Sequence, residues 1–160
     1  MIRSFNIAIA LFFGLASGAF AAPDLLTERL TYFGLGPIRL GLTSEQLKNA
    51  GFDFTEEPSG SEGCYEARLK TNTKILVMFE DEKVTRVSTY DSNITTHSGA
   101  RVGVSEKRVR DIYGTSLVVE PHAYETNGHY MIVKSLDGKN ALVMETDVKR
   151  VTQLTRIIHD

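Results

Sequence analysis

One cysteine, Cys64, stands in 160 residues. That scarcity excludes an internal disulfide and any metal site assembled from thiolates, so stability must come from a packed core. Cys64 itself admits two readings: a small half-buried residue at the start of a strand, or a thiol open to another chain. Positive charge is not in surplus. Lys and Arg number 18 against 20 Asp and Glu, and without Arg3 the balance is 17 to 20, a net charge of −3. Nucleic acid and anionic membrane surfaces both require a clustered positive field, and this chain lacks one. The apolar run at residues 7–16 is shorter than the roughly 20 residues of a membrane-spanning helix and has no stop-transfer flank.

Motifs of chemistry are also missing. Gly34-x-Gly36 has no third glycine before a helix and is no dinucleotide fingerprint, so these glycines read as turn residues. The text from Ser59 to Gly63 lacks the Gly-x-Ser-x-Gly spacing of a nucleophile elbow. There is no phosphate loop and no zinc motif. The acids fall mostly in turns and helix starts, where solvation or the helix dipole accounts for them. The expectation is a protein without catalytic residues, cofactor or metal.

The N-terminus carries an export pattern. Arg3 supplies a positive start, residues 7–16 are apolar, and Ala19-Phe20-Ala21 is a small-residue cleavage site. Residues 1–21 are therefore expected to be a signal peptide. No cysteine follows the site, which disfavours a lipid anchor, and the mature chain is expected in the periplasm or secreted.

One short pattern is written twice. Gly41-Leu42-Thr43-Ser44-Glu45-Gln46-Leu47 returns as Gly103-Val104-Ser105-Glu106-Lys107-Arg108-Val109, 62 positions on. Thr43 and Ser105 have the chemistry of helix N-caps, and Gln46 can close a capping box. Leu47 and Ala50, then Val109 and Ile112, mark the buried faces. Gly51 and Gly114 supply the stops. After each helix the period becomes strand-like, over residues 52–57, 64–70, 74–79 and 84–90, then over 116–124, 129–136, 141–145 and 151–158. Turn chemistry separates these runs, including 58–63, Asn127-Gly128 and Asp137-Gly138. Asp91 to Gly99 reads as a polar connector, and its Asn93-Ile94-Thr95 sequon as connector text. The expected fold is α+β, two tandem helix-plus-four-stranded antiparallel sheet repeats over 22–92 and 93–160.

This order, with Pro121-His122-Ala123-Tyr124 before Gly128-His129-Tyr130, resembles the β-lactamase-inhibitor-protein-like fold and the related SmpA/OmlA outer-membrane assembly module. It is also similar to a broad group of exported bacterial proteins sharing the Pro-His-x-Tyr and Gly-His-Tyr segments. The resemblance implies protein-protein recognition across a curved sheet. Inhibitors of that type are disulfide-stapled within repeats and the assembly module is a lipoprotein, features this sequence does not reproduce.

The candidate binding residues are Tyr65, Tyr90, His122, Tyr124, His129 and Tyr130. Tyrosine and histidine each offer an apolar body with a polar tip, and aromatic anchors dominate interfaces. Each also has a structural reading, as core tyrosine or strand histidine. If Asn127-Gly128 makes a two-residue turn, Thr126 pairs with His129, and His122 and His129 share a face about 13 Å apart, too far for one metal ion. His97 and His159 receive no role. The expected function is an exported soluble binding protein for another protein of the envelope or extracellular space, an inhibitor or assembly factor. The alternative is a small-ligand binder, for a sugar or apolar molecule held between the repeats.

Overall fold

The computed structural model describes residues 24–61, 63–147 and 149–158. The expected signal peptide, residues 1–21, and His159 lie outside the described residues. The chain is α+β and mostly strand. In order, its elements are β1 (Arg29–Thr31), β2 (Gly34–Leu35), β3 (Ile38–Arg39), α1 (Ser44–Asn49), β4 (Phe54–Ser61), β5 (Cys64–Leu69), β6 (Ile75–Glu80) and β7 (Lys83–Thr89). There follow β8 (Thr95–Thr96), α2 (Glu106–Tyr113), β9 (Leu117–Pro121), β10 (His129–Lys134), β11 (Asn140–Thr146) and β12 (Val151–Ile158).

Both helices start where local chemistry directs. The Thr43 hydroxyl accepts from the Gln46 amide at 3.1 Å and the Gln46 side chain accepts from the Thr43 amide at 2.8 Å, a closed capping box. Ser105 accepts from the Arg108 amide at 3.2 Å. Gly114 ends α2 at φ +53, a conformation that L side chains avoid.

The strands form two sheets. The larger runs β4-β5-β6-β7-β12-β11-β10-β9, two antiparallel meanders joined along β7 and β12, with Thr89 opposite Leu154 and Arg86 opposite Ile157. Each glycine that precedes a helix docks on this sheet. Gly41 N–H donates to Val84 O at 2.8 Å and Val84 N–H to Leu42 O at 2.9 Å. Gly103 N–H donates to Val151 O at 2.8 Å and Val151 N–H to Val104 O at 2.9 Å.

The smaller sheet runs β3-β2-β1-β8. Its β8 comes from the presumed polar connector and pairs in parallel with β1. Ile94 and Thr96 are fully buried and Asp91 nearly so, bonded to Asn72 and Asn93. The connector is thus a structural element, because Asp91 finds side-chain and backbone donors that make its burial affordable. The turn expected at 58–63 is also shorter: β4 continues to Ser61 with a register irregularity after Glu57.

One face of the large sheet carries the core. Leu47 and Val109 of the helices and Leu30, Leu35 and Ile38 of the small sheet join Ala67, Leu69, Val77, Phe79, Val87, Met131, Met144 and Leu154 in one cluster. Alternation along each strand sends the intervening residues to the other face. Leu76, Ser88, Thr155 and Val143 lie there in one row across β6, β7, β12 and β11, outside that cluster. At its centre the Ser88 and Thr155 hydroxyls are 3.1 Å apart and hydrogen-bonded. Arg68, Arg86, Tyr90 and Tyr130 are long side chains on the same face.

Candidate recognition face

On the face away from the helices, strand register places a second row beside that of Leu76, Ser88, Thr155 and Val143. Glu145 is opposite both Gln153 and Tyr130, and Tyr130 is opposite Glu120. Tyr90, one residue past the Thr89–Leu154 pair, extends the row toward β7 and is 43% exposed. Burial, and after it the negative fields of Glu145 and Glu66, push its phenol above the ordinary value. Two ion pairs flank the row's far side: Arg68 with Glu57 at 2.8 Å and Arg86 with Glu66 at 2.9 Å.

His122 closes the row at the β9–β10 corner. Its ring stacks on Tyr130 with centroids 4.3 Å apart. Nδ1 accepts from the amides of Tyr124 at 3.1 Å and Glu125 at 3.0 Å. An accepting Nδ1 carries no proton, so the neutral ring bears its hydrogen on Nε2 and donates to Glu145 Oε2 at 3.2 Å. With both nitrogens engaged, His122 fixes the loop that presents Tyr124, a residue 89% exposed. Glu120 and Glu125 form no ion pair among the described residues, so the corner presents uncompensated negative charge beside aromatic surface.

The hairpin differs from the two-residue turn expected at Asn127-Gly128. His129 pairs with Pro121 rather than Thr126, a displacement of five positions. An odd displacement exchanges the faces. His122 therefore lies on the Tyr130 side and His129 on the helix side, correcting the expectation that they share a face. The cause is local: the His122 ring captures two loop amides, Gly128 N–H donates to Glu125 O at 2.9 Å, and Asn127 takes the left-handed turn position at φ +64. Gly128 also lies so close to β11 that a Cβ would meet Thr146 O at 2.4 Å.

His129 belongs to a separate cluster that ties α2 to β10 and β11. Its Nδ1 lies 2.6 Å from Glu106 Oε1, which also accepts from the Thr146 hydroxyl at 2.7 Å. Burial raises the Glu106 pKa, but the bonds from Thr146 and His129 outweigh it and hold the carboxyl below its ordinary value. The hydroxyl of this cluster donates to the carboxylate and not to the imidazole, so the arrangement fastens the helix and activates no nucleophile. Sequence reasoning passed over Glu106 as a helix-start acid; its second role depends on Thr146, 40 residues away.

Tyr65 also lies apart, on the helix side, stacked on Phe79 at 4.9 Å and reaching Glu82, which accepts from Ser44 at 2.9 Å. Of the six candidates, the structure brings together His122, Tyr124 and Tyr130, aligns Tyr90 with them, and separates Tyr65 and His129. Among the described residues no group of three or more His, Cys, Asp or Glu could hold a metal ion, and no helix is long and apolar enough to cross a membrane.

No protein-family model matches the chain, and no curated protein matches it. Among solved structures it is similar to the uncharacterised protein yfeY from Escherichia coli, at 13% identity over 81% of this chain and 99% of that one, with a TM-score of 0.49. It is also similar to an extracellular protein containing an SCP domain from Bacillus anthracis str. Ames, at 11% identity and a TM-score of 0.50. That likeness covers 74% of this chain and 44% of the other, and it is one of fold.

Proposed function

We propose that the chain is an exported binding protein that recognises another protein of the envelope or extracellular space on the face of its large sheet away from the helices, as an inhibitor or assembly factor and without catalysis. The observation that carries this reading is the row Tyr90, Gln153, Glu145, Tyr130 and Glu120, ended by His122 and the exposed Tyr124. Aromatic groups held by stacking and hydrogen bonds lose little freedom on binding. The free carboxylates of Glu120 and Glu125 favour a partner segment that sets a basic residue beside its apolar ones.

The same proposal includes export directed by residues 1–21 and a tandem construction of two helix-plus-four-strand units, 22–92 and 93–160, of the β-lactamase-inhibitor-like kind. The matched docking of Gly41 on Val84 and of Gly103 on Val151 supports the tandem construction.

The test is affinity capture from native envelope and secreted fractions with the chain from Ala22 onward, followed by cross-linking to map the contact. Tyr124→Ala with Tyr130→Ala, and separately Glu120→Lys, serve as folded controls checked by circular dichroism. A protein retained by the wild type, lost by both variants and cross-linked to β9 or β10 supports the reading. Retention unaffected by either variant, or cross-links confined to the helix side, overturns it.

A further inference from the structure

On the opposite side of the large sheet, two concavities meet at a shared pair of residues, Thr31 and His97. The first, about 260 Å³, is walled by Tyr32, Phe33, Tyr113 and Leu142. The Tyr113 hydroxyl is bonded to Thr96 at 2.7 Å and the Tyr32 hydroxyl donates to Lys134 O at 3.3 Å, so the polar tips are engaged. Phe33 is 64% exposed at the rim, a large apolar side chain left in water. The second concavity, about 310 Å³, is polar and includes Arg29, Arg39 and Glu28.

The sequence builds this junction from the small sheet. Arg29 and Thr31 alternate on the outer face of β1, and Thr31 is opposite Gly34, which is opposite Arg39. Gly34 leaves a notch between Thr31 and Arg39, and no other residue fits, since a Cβ would meet Ile38 O at 2.0 Å. Neither the Arg29 nor the Arg39 guanidinium makes a hydrogen bond or ion pair among the described residues. Two cations face the single carboxylate of Glu28.

A third positive group lies behind the apolar wall. Arg156 is 2% exposed and is paired across strands with Leu142. It donates through Nε to Tyr32 O at 2.5 Å and through Nη2 to Asn140, while Nη1 has no partner. Among the described residues no carboxylate neutralises it. A buried cation without a counter-charge is costly, and its field favours an anion nearby.

We infer that the two concavities form one binding site for a small aryl carboxylate, with the ring against Tyr32, Phe33 and Leu142 and the carboxylate toward Arg29 and Arg39. At about 260 Å³ the apolar concavity is somewhat smaller than the sites that hold drug-sized ligands, a size suited to one ring and a short linker. Aromatic walls favour a ring in offset or edge contact, and guanidinium is the group best matched to a carboxylate. The site shares no residue with the recognition face, so it stands or falls independently of that reading.

Titration calorimetry and saturation-transfer NMR with 3-phenylpropanoate test it, with 3-phenylpropan-1-ol and acetate as comparison ligands. The expected result is saturable one-to-one binding of the aryl carboxylate, weakened about tenfold or more when either the charge or the ring is removed from the ligand. Arg29→Ala with Arg39→Ala should weaken the carboxylate to the level of the alcohol. Ser98→Trp, a bulky change at an exposed lining residue, should abolish binding, and Tyr130→Ala should leave it unchanged, both variants being checked as folded by circular dichroism. Absence of saturation at millimolar ligand, equal affinity for acid and alcohol, or undiminished binding by folded Ser98→Trp overturns the inference.

Discussion

Removing the Glu106 carboxylate should loosen α2 from the sheet more than its place at a helix start implies. Glu106 accepts from Thr146, which is fully buried, and from His129, whose side chain is 36% exposed. A hydrogen bond to a charged group contributes about 1.5–3 kcal/mol when buried, and screening reduces the His129 share to about 1 kcal/mol. Glu106→Ala should therefore cost about 3 kcal/mol, read as a lower urea midpoint at unchanged slope and a melting temperature lower by roughly 10 °C. The effect has a pH signature. Because the folded carboxyl titrates below its ordinary value of 4.5, the unfolded chain binds more protons in that window. The stabilisation is fully present above the ordinary value and is lost as pH falls through the depressed one. The gap between wild type and variant must then shrink in acid. A cost under about 0.5 kcal/mol, or a gap constant with pH, would refute the clamp.

Three further outcomes follow from single residues. Gly34→Ala should cost about 2–3 kcal/mol in urea unfolding, since its φ of +133 and the Ile38 carbonyl leave no room for a Cβ; a neutral result would refute the close approach of β2 to β3. Asp91→Ala should cost about 2–3 kcal/mol by stranding the donors of Asn93 and Asn72. Its carboxyl is held low first by the Asn93 amide, so this stabilisation too is lost as pH falls, and proteins with and without it should converge in acid. Leu154→Ala, in the core beside the β7–β12 seam, should cost about 3 kcal/mol and move one calorimetric transition as a whole; two separated transitions would show that the meanders unfold independently.

What could be read in the sequence was what depends on neighbours in the chain. The Thr43 box and the Ser105 cap require partners three residues away, and Gly51 and Gly114 act on their own dihedral angles, so both helices were placed closely. Strand existence was legible for the same reason, from period and β-branched content. The β9–β10 register was not, because Asn127-Gly128 signals a tight turn while the deciding interaction is the His122 ring on two amides, which no propensity records. Asp91 to Gly99 read as solvent-facing connector because its burial depends on Asn72 and on β1. The pairing of His129 with Glu106 needed the helix docked first. The aromatic pocket draws on β1, the β8 turn, α2 and β11, and nothing in any one of those segments announces the others.

The placement of charge separates the two sides of the molecule. On the helix-free face Arg68 and Arg86 are consumed by Glu57 and Glu66, and His122 is neutral, so the carboxylates of Glu120 and Glu125 set the sign at its corner. On the small-sheet side Arg29, Arg39 and Arg156 have no carboxylate partner among the described residues, and the sign is reversed. A net charge near zero for the whole chain conceals this division. A basic protein segment is thus directed to one side and a small anion to the other. The eight-stranded sheet between them makes occupancy of one independent of the other unless binding also moves the β7–β12 seam. Joint titration with 3-phenylpropanoate and a captured partner would detect such coupling as a change in either affinity, and the separation of the sites by a packed core predicts none.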